Sequence, residues 1–402
     1  MLEIEFSIIE DDPGDLQVIA GFLEDFQEQY KVDVHLVPMS WEQAWQDLFS
    51  YVLKGKGPDV THVGSTWSSS LVEMNALRPF TPREVAEMGR PEAFIPADWQ
   101  SVLRPGDAQV WAIPWYSYIY LIGYRRDLLQ HAGVDELIAF RTAQDFSETI
   151  RRLQTAGIEI PLAFPAFPDT DQIHTAASWV WGAGGDFISD DGKRVLFNRP
   201  EALAGLKAYF ELYRGLSPQA RELNDEQSLA LFAQGRAAMI VTNSDAIQTM
   251  GHGGAIPEVR ANLGTAVPSS VPWFGGGNLV IWRHAREHPE RERAAVALVS
   301  YLASRPVQVK RAHIDGTLPA RLDALPELSL EPASLGITLQ QAVKTGRPYK
   351  TVPLWRRIEY QLGQELVQIR TEVWANPNAD IDEILHGHID SLARRMSLML
   401  SQ

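Results

Sequence analysis

The first eighty residues alternate between two hydrophobic periods, and this alternation is the feature that most constrains the fold. Apolar residues recur at every second position over residues 2–8 and again over 32–36, as in strands with one buried face. They recur at helical spacing over 16–30 and 41–52. Strands that alternate with helices in this way are typical of a parallel sheet covered by helices. The sequence therefore predicts an α/β protein.

The third strand–helix unit spans residues 57–80 and ends its strand in a polar turn. A Gly-Pro-Asp turn leads into a short apolar strand, which stops before Ser65, Thr66 and Trp67. In open α/β sheets, ligands collect at the carboxyl ends of the strands. We therefore expect these three residues to bind a ligand, with the ring of Trp67 exposed. The alternative is that Trp67 fills the joint between strand and helix.

A second polar turn has the same position at the end of a later strand. The buried strand predicted over 238–241 is followed by Asn243 and Asp245. Polar turns at strand ends in both halves of the chain favour two similar α/β lobes that face one another. At 402 residues, the chain is long enough for two domains.

Two further stretches are predicted to carry the chain from one lobe to the other. A strand over 110–113 meets Pro114, which removes a ladder donor and lets the chain leave the sheet before a new strand over 118–122. Glycines 275–277 precede a strand over 279–281 and permit close approach of the backbone and hinge-like changes. We expect both stretches to act as hinges, with a plain loop as the alternative at the glycines.

Composition excludes several classes of protein. Asp plus Glu outnumber Lys plus Arg by 51 to 36, and the formal net charge of −15 opposes binding to nucleic acid. The absence of cysteine excludes disulfides, thiolate metal sites and a cysteine nucleophile. No apolar run approaches the roughly 18 residues of a membrane span. Met1 runs directly into a strand without a signal peptide, as expected for a mature start or for a cytoplasmic protein.

Motifs for catalysis, metals and cofactors are missing or incomplete. The acidic turn at 10–12 resembles the start of a response-regulator receiver domain, but the third strand lacks the terminal Asp that a receiver needs. The glycine-rich stretch 182–187 lacks the spacing of a dinucleotide loop. Histidine pairs at 284/288 and 386/388 lack a third metal ligand. We predict no catalytic residues, no metal and no cofactor.

Several segments, in order, match one known family. They are GKGPDVTHVGSTW, AIPWYSYIYLIGYRRDLL, FAQGRAAMIVTNSD, FGGGNLVIW, SYLASRPVQ and GTLPARLDAL, and they span most of residues 2–325. On these segments the chain resembles the extracellular solute-binding proteins of carbohydrate ABC transporters, the maltose-binding-protein-like family. The resemblance implies a two-lobe periplasmic-binding-protein fold. Each lobe would be a sheet flanked by helices, with a ligand cleft between the lobes.

The resemblance and the residues together predict the division of the chain. We expect an N-terminal lobe of residues 1–115 plus 274–325, a C-terminal lobe of residues 118–270 plus 326–402, and crossings near 114–118, 271–277 and 320–328.

The resemblance also implies a function. The protein would capture a mono- or oligosaccharide and deliver it to the membrane permease subunits of an ABC importer, as a monomer without enzymatic activity. Its location would be periplasmic or extracellular, either lipid-anchored or secreted. The residues leave open a non-sugar solute such as a polyamine or glycerophosphodiester, a glycosidase, and a cytoplasmic sensor. A glycosidase needs two carboxyl groups at a fixed separation, and the sequence singles out no such pair.

A sugar has apolar C–H faces and a rim of hydroxyl groups, so its site needs flat rings and polar side chains. Two positions depart from the family: Tyr118 stands where many relatives carry an acid, and Asp245 where they often carry an aromatic residue. The predicted ligand-binding residues are Asp11, Ser65, Thr66, Trp67, Trp115, Tyr116, Tyr118, Trp179, Trp181, Asn243, Asp245, Trp273, Phe274, Gly276 and Trp355.

Overall fold

The computed structural model describes residues 2–10, 13–104, 106–165 and 172–400. Contacts divide the chain into two compact units, each assembled from separate segments. The first unit contains residues 1–118, 275–329 and 351–356, and the second contains residues 119–274, 330–350 and 357–402.

The strands of the described residues are β1 (Leu2–Glu10), β2 (Val32–Ser40), β3 (Val60–Gly64), β4 (Leu77–Arg78), β5 (Ile113–Arg125), β6 (Leu162–Ala163), β7 (Met239–Asn243), β8 (Leu263–Ala266), β9 (Phe274–Trp282) and β10 (Leu318–Pro319).

The α-helices of the same residues are α1 (Pro13–Tyr30), α2 (Trp41–Lys54), α3 (Ser68–Glu73), α4 (Pro82–Glu87), α5 (Pro96–Ser101), α6 (Arg126–His131), α7 (Ala143–Thr155), α8 (Gln172–Gly182), α9 (Pro200–Arg214), α10 (Asp225–Ala233), α11 (Ser244–Thr249), α12 (Pro257–Asn262), α13 (Pro289–Leu302), α14 (Arg305–Asp315), α15 (Ala333–Thr345), α16 (Trp355–Ala375) and α17 (Ile381–Leu400). Short 3-10 turns lie at Pro91–Ala93, Pro218–Ala220, Pro268–Ser270, Arg283–Glu287 and Leu322–Glu327, and a π-helical turn lies at Met250–Gly254. Within the described part of the chain, no helix is both long enough and apolar enough to cross a membrane.

The first unit is built on a mixed sheet. β1 pairs in parallel with β2 and β3, which places Phe6 opposite Leu36 on one side and Val60 on the other. β9 runs antiparallel to β3. Ile4, Phe6 and Ile8 of β1 are buried, as their period predicts, and Leu2 is partly buried. Ser7 in the same strand is also buried, and its hydroxyl is satisfied by a hydrogen bond with the Thr61 hydroxyl at 2.6 Å. The carboxyl ends of β1, β2 and β3 therefore lie along one edge of the sheet.

The second unit has its own strands and a helical core. β5 pairs antiparallel with β7 and β8, and β6 runs parallel to β7. The register places Tyr120 beside Asn243 at the carboxyl end of β7. Helices α8 and α9 pack against one another and bury Trp179 and Tyr209.

The predicted α/β class and the strand–helix alternation of the first eighty residues are confirmed. The sheet is nevertheless mixed rather than parallel, because β9 comes from a distant part of the chain and adds antiparallel to β3. Helix α3 is also shorter than the spacing indicated: it ends at Glu73, and Leu77 begins β4 instead.

The predicted break of the strand at Pro114 is wrong. β5 runs from Ile113 to Arg125 through the proline, and Val110 makes an isolated bridge with Phe80. β10 pairs with β5 at Tyr116 and Ser117, so the N–H that Pro114 lacks falls outside that ladder.

The glycines at 275–277 lie inside strand β9 rather than in a loop before it. The hinge roles and lobe boundaries inferred from the sequence stay predictions. The contacts of residues 351–356 place them in the first unit, whereas the sequence interpretation assigned them to the second lobe.

Candidate functional site

The polar turn after β3 lies against β9 within the first unit. The backbone N–H of Ser65 donates to the carbonyl of Gly276 at 2.9 Å, and both Ser65 and Thr66 are buried. Gly276 has a φ of 135°, and a Cβ atom at this position would lie 2.1 Å from the carbonyl oxygen of Tyr116. Glycine is required here because no other residue permits this approach of β9 to the neighbouring backbone.

Trp67 belongs to a tryptophan cluster formed by Trp41, Trp45 and Trp67 in the first unit. The ring centroids of Trp41 and Trp45 lie 5.4 and 5.6 Å from that of Trp67, both edge-on. The Arg356 guanidinium lies over the rings of Trp67 and Trp45 at 5.5 and 5.7 Å. Trp67 is therefore 7 % exposed, and the prediction of an exposed ring there is wrong; Trp41, at 37 %, is the exposed ring of the cluster.

Trp115 and Tyr116 lie beside a buried histidine and a buried arginine. The ring of His62 lies 5.2 Å from that of Trp115 and 5.3 Å from that of Tyr116. The Arg311 guanidinium lies over the same two rings at 4.5 and 5.2 Å. Burial, together with the positive charge of Arg311, lowers the pKa of His62 to about 3, so its imidazole is neutral at physiological pH.

An aromatic cluster in the second unit surrounds Trp273. The imidazole of His174 stacks on the indole of Trp273 with centroids 4.1 Å apart and planes 11° from parallel. Tyr349 contacts both rings, and its hydroxyl hydrogen-bonds His174 Nδ1 at 3.1 Å and the carbonyl of Ile173 at 2.9 Å. Tyr120 lies 5.8 Å from Trp273. The second unit thus packs several rings around Trp273, and two of these rings, His174 and Tyr349, also carry polar atoms.

Asp186 fixes one side of this cluster. Its Oδ1 accepts from Trp181 Nε1 at 3.2 Å and from the backbone N–H of Phe187 at 2.8 Å. Its Oδ2 accepts from Arg347 at 2.8 Å and from Lys350 Nζ at 2.7 Å. Burial opposes ionisation of this carboxyl, yet the hydrogen bond from Lys350 and the charge of Arg347 hold its pKa below the usual value. The ionised carboxylate ties residues 347–350 to the end of helix α8.

The glycine-rich stretch that precedes Asp186 serves packing. A Cβ atom at Gly185 would lie 2.5 Å from the Cα of Ala202, and one at Gly182 would lie 2.7 Å from the carbonyl oxygen of Ser269. The glycines allow these backbones to approach, which accounts for the motif without a phosphate ligand.

The polar turn after β7 caps a helix. Asn243 Oδ1 accepts from the backbone N–H of Ala246 at 2.7 Å and so caps α11, while Asp245 accepts from the Ser244 hydroxyl at 2.9 Å. Asn243, Asp245 and the half-buried Tyr118 are partly accessible. Their contact with a ligand stays a prediction.

Three other predicted residues are packed inside their units. Trp179 contacts Phe164 and Tyr209 in the core of the second unit, which accounts for its ring without a ligand. Phe274 is 1 % exposed, and Trp355, at the start of α16, is fully buried. Asp11 lies outside the described residues.

The sequence interpretation missed residues that lie among the predicted ones. Trp41 and Trp45 have helical spacing and were assigned to a packed helix face, although their position next to Trp67 makes them part of the same cluster. His174, Arg311 and Arg356 carry no motif, because each reaches its aromatic partner through the fold rather than along the sequence. Within the ranges that the structure describes, no group of three or more His, Cys, Asp or Glu side chains could hold a metal ion.

Comparisons of the sequence with a family profile and with known proteins all lead to solute-binding proteins. The sequence profile of the family described as "Bacterial extracellular solute-binding protein" matches residues 22–334. The chain is 23% identical over 366 residues to the diacetylchitobiose binding protein DasA of Streptomyces coelicolor, covering 86% of this chain and 79% of that protein. It is 20% identical over 400 residues to the maltotriose-binding protein of Pyrococcus abyssi, covering 96% of this chain and 80% of that protein.

The fold is shared with solved structures. The maltose-bound MalE3 protein of T. maritima superimposes with a TM-score of 0.81 at 22% identity, covering 99% of this chain and 100% of that chain. This structural similarity confirms the predicted periplasmic-binding-protein fold.

Proposed function

Because the chain belongs to the bacterial extracellular solute-binding proteins, we propose that it binds a sugar or short oligosaccharide outside the cytoplasm and delivers it to the permease subunits of an ABC importer. It acts as a monomer and does not transform its ligand. The relatives named for diacetylchitobiose and maltotriose support this substrate class.

The tryptophan cluster is the observation that carries the proposal. Three indoles and a guanidinium lie together just beyond the carboxyl end of β3, and one of the indoles, Trp41, is 37 % exposed. An accessible indole face provides the flat apolar surface that a sugar ring needs, and the fixed neighbours keep its position. The second unit, taken by itself, has rings around Trp273, and the partly accessible Asn243 and Asp245 are polar side chains suited to hydroxyl groups.

The carboxylate of Asp186, beside the rings of the second unit, does not suit the acid of a glycosidase. A general acid needs a carboxyl group whose pKa is raised, but the pKa of Asp186 is lowered by its basic partners. In the first unit, Asp315 accepts from Arg311 Nε at 3.1 Å. Both groups are engaged in ion pairs with basic side chains, which suits a structural role.

The test is a binding screen on the purified protein. Thermal shift and calorimetry would be run with mono- to trisaccharides, including maltose, maltotriose and diacetylchitobiose, alongside spermidine and glycerophosphocholine. We expect at least one sugar to raise the melting temperature, because a ligand at about 100 times its Kd stabilises the folded state by about 2.7 kcal/mol. The stabilising sugar should be recovered intact after incubation. Binding confined to the polyamine or the diester, or hydrolysis of the sugar, would contradict the proposal.

The same screen locates the site through Trp41→Ala. Loss of a stacking ring should weaken binding of the stabilising sugar by about thirtyfold, because truncation of such a ring at an interface costs about 2 kcal/mol. Tyr30→Ala is the matched control, because Tyr30 is another exposed ring of the first unit, at 41 %. The Tyr30→Ala variant should bind the sugar with the affinity of the parent protein. Unchanged affinity in Trp41→Ala would remove the tryptophan cluster from the site.

A further inference from the structure

Two buried nitrogen donors in the first unit face the same pair of aromatic rings. His62 is 1 % exposed, and its Nδ1 accepts from the backbone N–H of Ile9 at 3.3 Å. The proton of the neutral imidazole is therefore on Nε2, which is a donor. Among residues 2–10, 13–104, 106–165 and 172–400, Nε2 has no hydrogen-bond partner.

Arg311 supplies the second donor. Its Nε donates to Asp315 Oδ2 at 3.1 Å, while its Nη1 is buried and also lacks a hydrogen-bond partner within those same ranges. The guanidinium and the imidazole both lie within about 5 Å of the Trp115 and Tyr116 rings. A buried donor without an acceptor is costly, so two of them at one pair of rings indicate an acceptor that the described residues do not provide.

The position of the pair in the sheet matches that of a ligand subsite. Ile9 is the penultimate residue of β1, and His62 lies two residues before the end of β3, so Nε2 is near the carboxyl edge of the parallel strands. The backbone of Gly277 packs closely against this atom, because a Cβ atom there would lie 2.4 Å from Nε2 and 2.3 Å from the Tyr116 ring.

We propose that His62 Nε2 and Arg311 Nη1 form a subsite for an uncharged oxygen acceptor of the solute, a sugar hydroxyl or an acetamido carbonyl. This inference rests on the proposed sugar-binding function. The charge of the surroundings selects a neutral acceptor: Asp315 already balances Arg311, and the imidazole carries no charge. A solute carboxylate would be buried here without a counter-charge, which is unfavourable.

Each donor is removed in turn by Arg311→Met and His62→Phe, which keep similar side-chain volumes. The control is Arg321→Met. Arg321 is equally buried, pairs with Asp323 and lies over the Phe94 ring at 5.4 Å. Its Nε and Nη2 donate to Asp323, and its Nη1 donates to the carbonyl of Met88 at 2.9 Å. The control therefore removes a buried, ion-paired arginine whose hydrogen bonds are internal.

Binding is measured by calorimetry with maltotriose, which offers hydroxyl groups, diacetylchitobiose, which adds acetamido carbonyls, and digalacturonate, which is anionic. We expect each donor variant to raise the Kd of the neutral sugar that the parent binds most tightly by about ten- to hundredfold. This is the range for a lost hydrogen bond to a buried or charged donor. Arg321→Met should bind that sugar with the parent affinity even where its melting temperature falls. A larger loss of affinity for maltotriose would identify the acceptor as a hydroxyl, and a larger loss for diacetylchitobiose would identify it as an acetamido carbonyl.

The outcomes separate the two proposals. If the parent protein binds none of the sugars in the wider screen, the proposed function and this subsite both fail. If it binds a sugar and both donor variants keep the parent Kd, the subsite alone is refuted and the donors are satisfied by a buried water. Tighter binding of digalacturonate than of the neutral sugars would refute the uncharged acceptor.

Discussion

Asp98 shows what burial does to a single ionisable side chain. The residue is 4 % exposed, and its Oδ2 is hydrogen-bonded by the Ser117 hydroxyl. Burial raises the pKa of this carboxyl well above its usual value, and the hydrogen bond from Ser117 offsets only part of that effect. The folded state therefore retains the proton at a pH where the unfolded chain has released it.

This sign leads to a prediction for Asp98→Asn. A raised folded-state pKa contributes stability below the unfolded pKa of about 3.9, and that stability is lost as the pH rises through the folded value. Asparagine resembles the protonated acid and does not titrate. We expect Asp98→Asn to unfold like the parent near pH 4 and to be more stable than the parent at pH 7, in urea titrations at both pH values. A variant that is less stable than the parent at pH 7 would contradict this.

Residue exposure was the property least accessible from the sequence. Helical spacing correctly predicts the face of α2 that contains Ala44 and Leu48. It does not reveal that Trp41 is the open ring and Trp67 the covered one, because the group that covers Trp67 is Arg356, from a distant part of the chain. Local patterns report periodicity, whereas exposure depends on what packs from elsewhere.

At the scale of elements, strands and helices followed from hydrophobic period, and the errors concern residues whose usual local preference was overridden. Pro114 was expected to end a strand and lies inside β5. Glycines 275–277 were expected to precede β9 and lie within it. The predicted close backbone approach at these glycines is confirmed. The partner strand that makes it necessary could not be read from the sequence.

The glycines of β9 lead to a prediction about packing. A Cβ atom at Gly277 would lie 2.3 Å from the Tyr116 ring, so Gly277→Ala must displace a buried aromatic side chain. We expect it to lower the free energy of unfolding by about 1–3 kcal/mol, as for other overpacked cores. Gly21→Ala in helix α1 is the control, since no atom lies within 4 Å of its added Cβ. It should be neutral or stabilising by up to about 1 kcal/mol. Equal unfolding midpoints for the two variants in urea would contradict the packing argument.

At the scale of the whole chain, the segments that match the family in order along the sequence were sufficient to predict the family and the fold. The profile match and the shared structure confirm both predictions. They were not sufficient for the assignment of every segment to a unit. Residues 351–356 belong to the first unit because Pro353 and Arg356 contact it: the Ser70 hydroxyl donates to the carbonyl of Pro353 at 3.0 Å, and Arg356 lies over Trp67. Neither contact has a local signature in the sequence.

The stability of the whole protein should depend on pH through His62. Its pKa is about 3 in the folded state because of burial and the charge of Arg311, against about 6.5 in the unfolded chain. Between these values the unfolded state binds one more proton than the folded state. This residue therefore makes unfolding easier as the pH falls from 6.5 towards 3, by up to about 1.4 kcal/mol for each pH unit. Its contribution is opposite in sign to that of Asp98, whose proton is retained on folding.

His62→Phe isolates this contribution, because phenylalanine fills similar space without titrating. The free energy of unfolding would be measured in urea at half-unit steps from pH 7 to pH 4 for the parent and the variant. The variant loses the hydrogen bond from Ile9 at every pH, so its curve should start below that of the parent at pH 7. The two curves should then converge as the pH falls, because only the parent pays for a histidine that stays neutral while folded. Curves that stay parallel over this range would show that the folded protein accommodates a protonated His62, and the low folded-state pKa would be wrong.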